Sequence, residues 1–118
     1  MILEITMFDL KPGTCQRFED AVALCRDLFG RAKGCRKVEL YKSHETPDRY
    51  HLMVAWDSIE NHTVDFWQSG DFDIWRSRVA DCFLRRPVVQ HAQLCITYSL
   101  IEDRQALSAD LLRETDSL

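Results

Sequence analysis

The sequence predicts an α+β domain with a ferredoxin-like β-α-β-β-α-α-β order, in which four strands form one antiparallel sheet. Residues 2–8 alternate apolar and polar side chains, which is the period of a half-buried strand, and residues 50–56 form a mostly apolar strand. Helix-spaced apolar residues follow each of these strands. Strand, helix and strand, twice in succession, is the split βαβ arrangement of a ferredoxin-like sandwich.

Composition and charge exclude several classes of function. The chain has 118 residues, 46% of them hydrophobic and 29% charged, with a formal net charge of −4. Scattered basic residues argue against a nucleic-acid partner, and no apolar run approaches the roughly 20 residues that span a bilayer. The first residues form a strand pattern and lack the basic start of a signal peptide. We therefore expect a cytoplasmic protein that binds neither nucleic acid nor membranes.

The cysteines predict free thiols. Five is an odd number, and neither a C-x-x-C pair nor zinc-ligand spacing is present. Cys25 and Cys82 lie on apolar helix faces, where a cysteine acts as a small core residue. We expect a reduced protein without a disulfide framework.

The first strand and helix have clear stop signals. Lys11, Pro12 and Gly13 end the first strand, and Thr14 is a candidate N-cap for a helix over residues 15–29. Gly30 is expected to end that helix in the left-handed conformation.

The same two elements have distinct faces. On the strand, Leu3, Ile5 and Met7 share one face, and Glu4, Thr6 and Phe8 share the other. The buried stripe of the helix consists of Phe18, Val22, Cys25 and Leu28 or Phe29.

A hairpin and a short helix are predicted next. Strands at residues 36–42 and 50–56 flank a polar loop, with Val38 and Leu40 on one strand face. Asp57 or Ser58 is expected to cap a helix over residues 58–69, with Glu60 completing a capping box with Asp57. Helical spacing places Ile59, Thr63, Phe66 and Gly70 on one face, His62 and Trp67 on opposite flanks of it, and Asn61 pointing away.

The last helix and strand complete the domain. Asp71 suits the cap of a third helix, and Pro87 prevents that helix from continuing. A final strand is predicted over residues 88–98, so the domain covers residues 1–98. The acidic tail, residues 99–118, is expected to be an appendage. The third helix is expected to bury Phe72, Trp75, Val79, Cys82 and Phe83, and a short tail helix would use Ala106, Leu107, Leu111 and Leu112.

Residues 49–76 carry a resemblance to a known family. The pattern W-x-S-x-E-x-H-T-x-x-F-x-x-S-x-x-F-x-x-W, which starts at Trp56, resembles the antibiotic biosynthesis monooxygenase (ABM) family of the dimeric α+β barrel superfamily. The resemblance implies a cavity between sheet and helices, and two sheets paired across a two-fold axis. The single chain points the same way, because helices on one face of the sheet leave the other face bare. We expect Val38, Leu40 or their neighbours on that bare face, and we expect a homodimer.

His62 is the predicted catalytic residue. It borders the apolar face of the second helix beside Phe66, where a neutral imidazole can act as a general base near pH 7. The alternative is a half-buried structural histidine that bonds a backbone carbonyl. The spacing of the four histidines indicates no metal site.

The predicted substrate-binding residues are Thr6, Phe66, Trp67, Phe72 and His91. The three aromatic residues suit a flat pocket for an aromatic ligand, or they are simply core. Thr6, with Glu4, is expected on the strand face away from the helices, where the two side chains either look into the barrel or are solvated or interface polar residues. His91 is either a cavity group or an edge residue.

The chain departs from the residue patterns of two groups of proteins that resemble it, the quinone-forming and the haem-degrading relatives. Cofactor-free quinone-forming relatives use an asparagine, a tryptophan and a tyrosine spaced by four and then six residues. The matching positions here are His62, Phe66 and Phe72. The haem-degrading branch uses an axial histidine where this chain has Arg76, so haem degradation is not expected.

The resemblance implies a cofactor-independent monooxygenase that acts with O₂ on a phenolic, quinol or polyketide-type aromatic small molecule. No cofactor is expected, since the chain contains none of the common cofactor-binding motifs. The alternative is a non-oxidative member of the fold: a small-ligand binder, or a cyclase or isomerase in a biosynthetic pathway.

Overall fold

A computed structural model describes residues 1–101 and confirms the predicted architecture. Within these residues the sheet has four strands in the order β2-β3-β1-β4, and all neighbours are antiparallel. The elements in chain order are β1 (Ile2–Asp9), α1 (Cys15–Ala23), α2 (Arg26–Gly30), β2 (Cys35–Lys42), β3 (Arg49–Trp56), a π-helix (Asn61–Phe66), α3 (Gly70–Val79), a 3₁₀ turn (Ala80–Cys82) and β4 (Val88–Ala92).

The helices cover one face of the sheet, and the strand register decides which residues lie there. On β3 every second side chain is buried beneath the helices: Tyr50, Leu52, Val54 and Trp56. Glu4 is the direct partner of Val54, and Thr6 is the partner of Leu52. Direct cross-strand partners project to the same side of a sheet. Glu4 and Thr6 therefore face the helices, and their predicted placement on the opposite face is wrong.

The other face of the sheet is bare, but the residues on it are not the predicted ones. Val38 pairs with Val54 and Leu40 with Leu52, so both belong to the helix-covered face. Register instead places a different set on the bare face, and its central members are apolar: Leu3, Ile5 and Met7 of β1, Met53 and Ala55 of β3, and Val88 and Ala92 of β4.

The predicted first helix is two helices. The chain turns at Leu24 and Cys25, where the Cys25 N–H donates to the Val22 carbonyl at 3.0 Å, a tight i to i−3 bond. This break lets the adjacent residues Leu28 and Phe29 both enter the core. Gly30 is the last residue of α2 and does not have a positive φ; the left-handed position is Gly34, with φ of 77°.

The caps also differ from prediction. Thr14 occupies the N-cap position of α1 as predicted, but its hydroxyl donates to the Lys11 carbonyl and makes no side-chain cap bond. Asp57 pairs with Arg36 and Asp71 with Arg31, so neither carboxylate caps a helix. Ser69 is the N-cap of α3, and its hydroxyl accepts from the Phe72 N–H at 3.2 Å. Asp and Ser are both good caps, and here the arginine partners claim the carboxylates.

The second helix opens with a reciprocal bond between Ser58 and Asn61. The Asn61 Oδ1 accepts from the Ser58 N–H at 3.2 Å, while the Ser58 Oγ accepts from the Asn61 N–H at 3.3 Å. Asn61 is therefore buried and does not point away from the domain as predicted. From Asn61 onward the helix has π geometry, with i to i−5 bonds such as the one from the Trp67 N–H to the His62 carbonyl, 3.1 Å long.

Aromatic side chains hold the core between sheet and helices. Phe29 and Trp75 meet edge to face with ring centres 5.1 Å apart, and Phe8 packs on Phe18 at 5.0 Å. Such pairs add about 0.5–1.5 kcal/mol each beyond their burial. Trp75, Val79 and Cys82 are buried as predicted, whereas Phe72 and Phe83 are half-buried.

The C-terminal part departs from the predicted strand. β4 ends at Ala92, not near residue 98, and Leu94, Ile96 and Tyr98 that follow are largely exposed. The predicted tail helix, at residues 106–112, lies outside the described residues. All five cysteines are free thiols, with Cys25 and Cys82 buried. None of the helices within residues 1–101 has the length and apolar character needed to cross a membrane.

Candidate active site

A cavity of about 700 Å³ lies between the sheet and the helices. Its polar groups include Glu4 and Thr6 from β1 and His62 from the π-helix, with Arg76 and Arg86 also on the wall. The aromatic wall consists of Phe8, Phe29, Phe66, Trp67, Phe72, Trp75 and Phe83. A mostly apolar cavity with a few convergent polar groups is the usual form of a small-molecule site.

Glu4 is held by two hydrogen bonds at the polar part of the cavity. Its side chain is buried, with 5% of the residue exposed. The Thr6 hydroxyl donates to Oε2 at 2.6 Å, and the Trp56 indole N–H donates to Oε1 at 3.0 Å. Thr6 follows two residues after Glu4 on the same strand face, and Trp56 lies on the neighbouring strand β3. The alternation of β1 therefore brings a carboxyl group into an otherwise apolar face.

His62 lies between Glu4 and His91. Its Nε2 is 3.2 Å from Glu4 Oε1, and its Nδ1 is 2.8 Å from His91 Nε2. The imidazole stacks on Trp56 with ring centres 5.2 Å apart and planes 16° apart. Only 3% of His62 is exposed, so it is buried rather than half-buried, and the ring bonds other side chains.

The π-helix brings Trp67 to His62. In an α-helix at about 100° per residue, residues five apart diverge, which is why the two rings were expected on opposite flanks. The wider π turn aligns them instead, and the Trp67 indole N–H donates to His62 Nε2 at 3.1 Å. π turns are frequently found at functional sites.

Burial disfavours charge on both Glu4 and His62. Desolvation, and secondarily the neighbouring His91, lowers the pKa of His62 to about 4. Desolvation also raises the pKa of Glu4, against the opposing effect of the Thr6 and Trp56 hydrogen bonds. The 3.2 Å between Glu4 and His62 is short enough for an ion pair. We nevertheless regard it as a close contact with a neutral imidazole, because the depressed pKa of the ring leaves it uncharged near pH 7.

Five of the six predicted site residues line this one cavity: Thr6, His62, Phe66, Trp67 and Phe72. His91 does not line it and instead contacts His62 from β4. The Thr6 hydroxyl hydrogen is directed to Glu4, which leaves its oxygen for a ligand.

Sequence reasoning missed the central place of Glu4 and the contact from Trp56. The sequence did contain a signal for Glu4, because this acidic residue shares a strand face with Thr6 and Phe8. Arg76 and Arg86 were missed as wall residues, and nothing in the local pattern identifies them.

Glu4, His62 and His91 do not form a metal centre. His62 presents Nε2 to Glu4 and Nδ1 to His91, so the donor atoms lie on different edges of the ring and do not converge. In the part of the chain that the structure describes, no group of three or more His, Cys, Asp or Glu side chains is arranged to hold a metal ion.

The fold and the cavity define a small ferredoxin-like α+β protein with an aromatic-lined cavity between sheet and helices. Comparison with known sequences makes this specific, since the profile of the family described as antibiotic biosynthesis monooxygenase matches residues 1–93. The chain belongs to the antibiotic biosynthesis monooxygenase family.

Individual relatives agree with this assignment. A Bacillus subtilis protein, the uncharacterized protein YczJ, is 31% identical over 93 residues, which cover 79% of this chain and 98% of the relative. The crystal structure of a putative antibiotic biosynthesis monooxygenase from Bordetella bronchiseptica is 46% identical, with a TM-score of 0.79 over 80% of this chain and 97% of that one. SnoaB, a cofactor-independent oxygenase from Streptomyces nogalater, has a TM-score of 0.70 at 12% identity, over 83% of this chain and 96% of its own, and shows likeness of fold alone.

Proposed function

We propose that this protein is a cofactor-independent monooxygenase that acts with O₂ on a phenolic, quinol or polyketide-type aromatic small molecule. The observation that carries the proposal is the cavity of about 700 Å³, in which an aromatic wall meets Glu4 and His62, whose Oε1 and Nε2 are 3.2 Å apart. Family membership and the name of the Bordetella relative support the reaction class.

The chemistry begins with the loss of a proton from the substrate. The resulting phenolate or enolate is electron-rich, and it transfers one electron to O₂. The substrate radical and superoxide then combine through a C–O bond, and the peroxide takes up a proton. When the same carbon loses its remaining hydrogen and the O–O bond breaks, one oxygen stays as a carbonyl and the other leaves as water.

The protein's contribution is orientation, proton transfer and exclusion of water. His62 is the proposed base at the polar part of the cavity, acting together with Glu4. Phe66, Trp67 and Phe72 hold the aromatic ring of the substrate. The Thr6 oxygen, Arg76 and Arg86 are placed to contact its polar substituents.

The test is O₂ consumption with 1,4-naphthohydroquinone and with anthrone as probe substrates. We expect the protein to accelerate O₂ uptake, and His62→Ala and His62→Gln to reduce turnover by roughly 100-fold or more. His44→Gln is the matched control, because His44 is an exposed loop residue. O₂ uptake at the uncatalysed rate with both probes would contradict the oxygenase, and parent-like rates in both His62 variants would remove His62 as the base.

A non-oxidative reaction is the second candidate. It is favoured by the replacement of the asparagine and tyrosine of the quinone-forming pattern by His62 and Phe72. A carboxyl group beside an imidazole in a dry cavity can move a proton between two positions of a bound substrate, which is the chemistry of an isomerase or a cyclase. Such an enzyme would form its product under anaerobic conditions, whereas the oxygenase would not.

A further inference from the structure

The cavity has a buried polar end and a separate, exposed, cationic end. Glu4 and His62 are buried, whereas Arg76 and Arg86 line the same cavity from exposed positions. Among residues 1–101, these four are the ionisable side chains of the cavity wall. Two guanidinium groups against one carboxyl group make the wall cationic, in a chain whose formal net charge is −4.

Strand register separates Arg86 from the buried end. Arg86 comes two residues before Val88, the β4 partner of Met7. Because the two strands are antiparallel, Arg86 lies beyond the level of Met7, on the side away from Glu4. Three strand residues separate Glu4 from Met7, which corresponds to about 10 Å along β1. A flat bicyclic molecule with one substituent at each end has about this length.

Arg76 is oriented at the wall by an aromatic ring. Its guanidinium carbon is 5.7 Å from the centre of the Phe72 ring, within the range of a cation–π contact. Phe72 in turn meets Phe66 with ring centres 5.6 Å apart. A cation–π contact orients the guanidinium without supplying a hydrogen-bond acceptor. The N–H donors of Arg76 are therefore left for a ligand.

Within residues 1–101 neither Arg76 nor Arg86 forms an ion pair with a carboxylate, although other arginines do. Arg85, the neighbour of Arg86, shares Asp9 with a second arginine and does not line the cavity. The planar fork of a guanidinium matches the two oxygens of a carboxylate, which makes arginine well suited to bind that group. The exposed end of the cavity thus offers two cations of the right geometry for an acidic ligand.

We propose that the ligand of the cavity is an aromatic carboxylic acid, whose ring lies against the aromatic wall and whose carboxylate binds Arg76 and Arg86. The phenolic end of the same molecule then reaches Glu4 and His62. This inference rests on the proposed function, because it takes the cavity to be the substrate site. It narrows the substrate class from phenols in general to phenols that carry a carboxylate. The two arginines determine specificity and take no part in proton transfer.

The experiment compares two ligands of the same shape, 6-hydroxy-2-naphthoate and its neutral analogue 6-hydroxy-2-naphthamide. Calorimetric titration without O₂ measures binding in the absence of turnover. We expect the acid to bind roughly tenfold more tightly than the amide, because only the carboxylate gains charge-assisted bonds. High salt should reduce this preference, since the arginines are exposed. Equal affinities for acid and amide, or no binding of the acid, would overturn the proposal.

Arg76→Gln and Arg86→Gln test the two contacts separately. Each should weaken binding of the acid by roughly three- to tenfold and leave binding of the amide unchanged. Arg26→Gln is the matched control, because Arg26 is exposed on α2 and does not line the cavity. It removes the same charge from the protein and should keep the preference for the acid. A preference that persists in both cavity variants would contradict the assignment of the arginines.

Failure of the acid site and failure of the oxygenase are distinguishable. Preferential binding of the acid without accelerated O₂ uptake on 1,4-naphthohydroquinone or anthrone would keep the acid site and reject the oxygenase. Accelerated O₂ uptake with equal binding of acid and amide would keep the oxygenase and reject the acid site.

Discussion

Gly34 lies so close to the side-chain amide of Asn61 that a Cβ atom at position 34 would overlap the Asn61 Oδ1. This contact seats the start of the π-helix against the entry to β2. The Gly34 carbonyl also accepts from the Asp57 N–H at 2.8 Å, which fixes the exit of β3 at the same place. Because His62 follows Asn61 directly, the position of the imidazole depends on a glycine 28 residues earlier in the chain.

Gly34→Ala should destabilise the domain by about 2 kcal/mol or more. The substitution combines a φ of 77° with a steric clash against Asn61, and a left-handed non-glycine residue alone costs on the order of 1–3 kcal/mol. Urea denaturation followed by tryptophan fluorescence measures the change. Gly30→Ala is the control, because Gly30 lies in α2 with open space around its Cβ position and should be neutral or slightly stabilising. Equal stabilities of the two variants would contradict the role of the Gly34 contact.

The stability of the parent protein should fall as the pH drops from 6.5 to 4. The folded-state pKa of His62 is about 4, below its ordinary value of 6.5, because the ring is buried. Between these values the unfolded chain binds more protons, so acidification favours unfolding, by up to about 3 kcal/mol from this group. Burial raises the pKa of Glu4 in the folded protein. The contribution of Glu4 to stability is therefore present at low pH and is lost as the pH rises above 4.5.

His62→Gln should flatten this acid slope in urea midpoints measured between pH 4 and 6.5. His44→Gln should retain the slope of the parent, because solvent surrounds His44 in the folded and unfolded states alike. The same measurement at pH 7 should show a cost of about 2 kcal/mol or more for His62→Ala, not the small effect expected of a partly exposed ring, since the substitution removes the hydrogen-bond partner of the Trp67 indole and of His91 Nε2. An unchanged slope in His62→Gln would show that another group titrates.

The protein is predicted to be a homodimer that pairs the bare faces of two sheets. The apolar residues that register places on this face, Ile5 and Met53 at its centre, lack cover from the described part of the chain. Ile5→Lys should shift the protein toward the monomer in sedimentation velocity at micromolar concentration. Val64→Lys is the control, because Val64 is an exposed apolar residue of the π-helix. A monomer mass for the parent would refute the dimer.

Truncation after residue 100 is predicted to change the melting temperature by no more than a few degrees. Leu94, Ile96 and Tyr98 are each at least 74% exposed, so the segment that follows β4 adds little to the core. Thermal unfolding of residues 1–100 against the full chain is the measurement. A large loss of stability, or loss of the dimer, would show that residues 101–118 are a structural strap.

Prediction from the sequence was accurate for the elements and weaker for the site. Strand alternation and helical spacing depend on local chemistry, and they gave the four strands in the correct order along the chain. The face of β1 was assigned wrongly because period-2 alternation distinguishes two faces without showing which one the helices cover. The register of Thr6 with Leu52 settles this, and it is a long-range pairing that no local pattern contains.

The sequence by itself determined the ferredoxin-like arrangement, because hydrophobic periodicity is a local property. Together with the family resemblance it also selected His62 and three of the seven aromatic residues that line the cavity, Phe66, Trp67 and Phe72. Only the tertiary structure decided that Glu4 meets His62, that a π turn aligns His62 with Trp67, and that His91 contacts the other ring nitrogen of His62. Each of these contacts joins residues whose backbones are positioned by separate elements. The contacts depend on strand register and helix geometry, and packing of the whole domain fixes both.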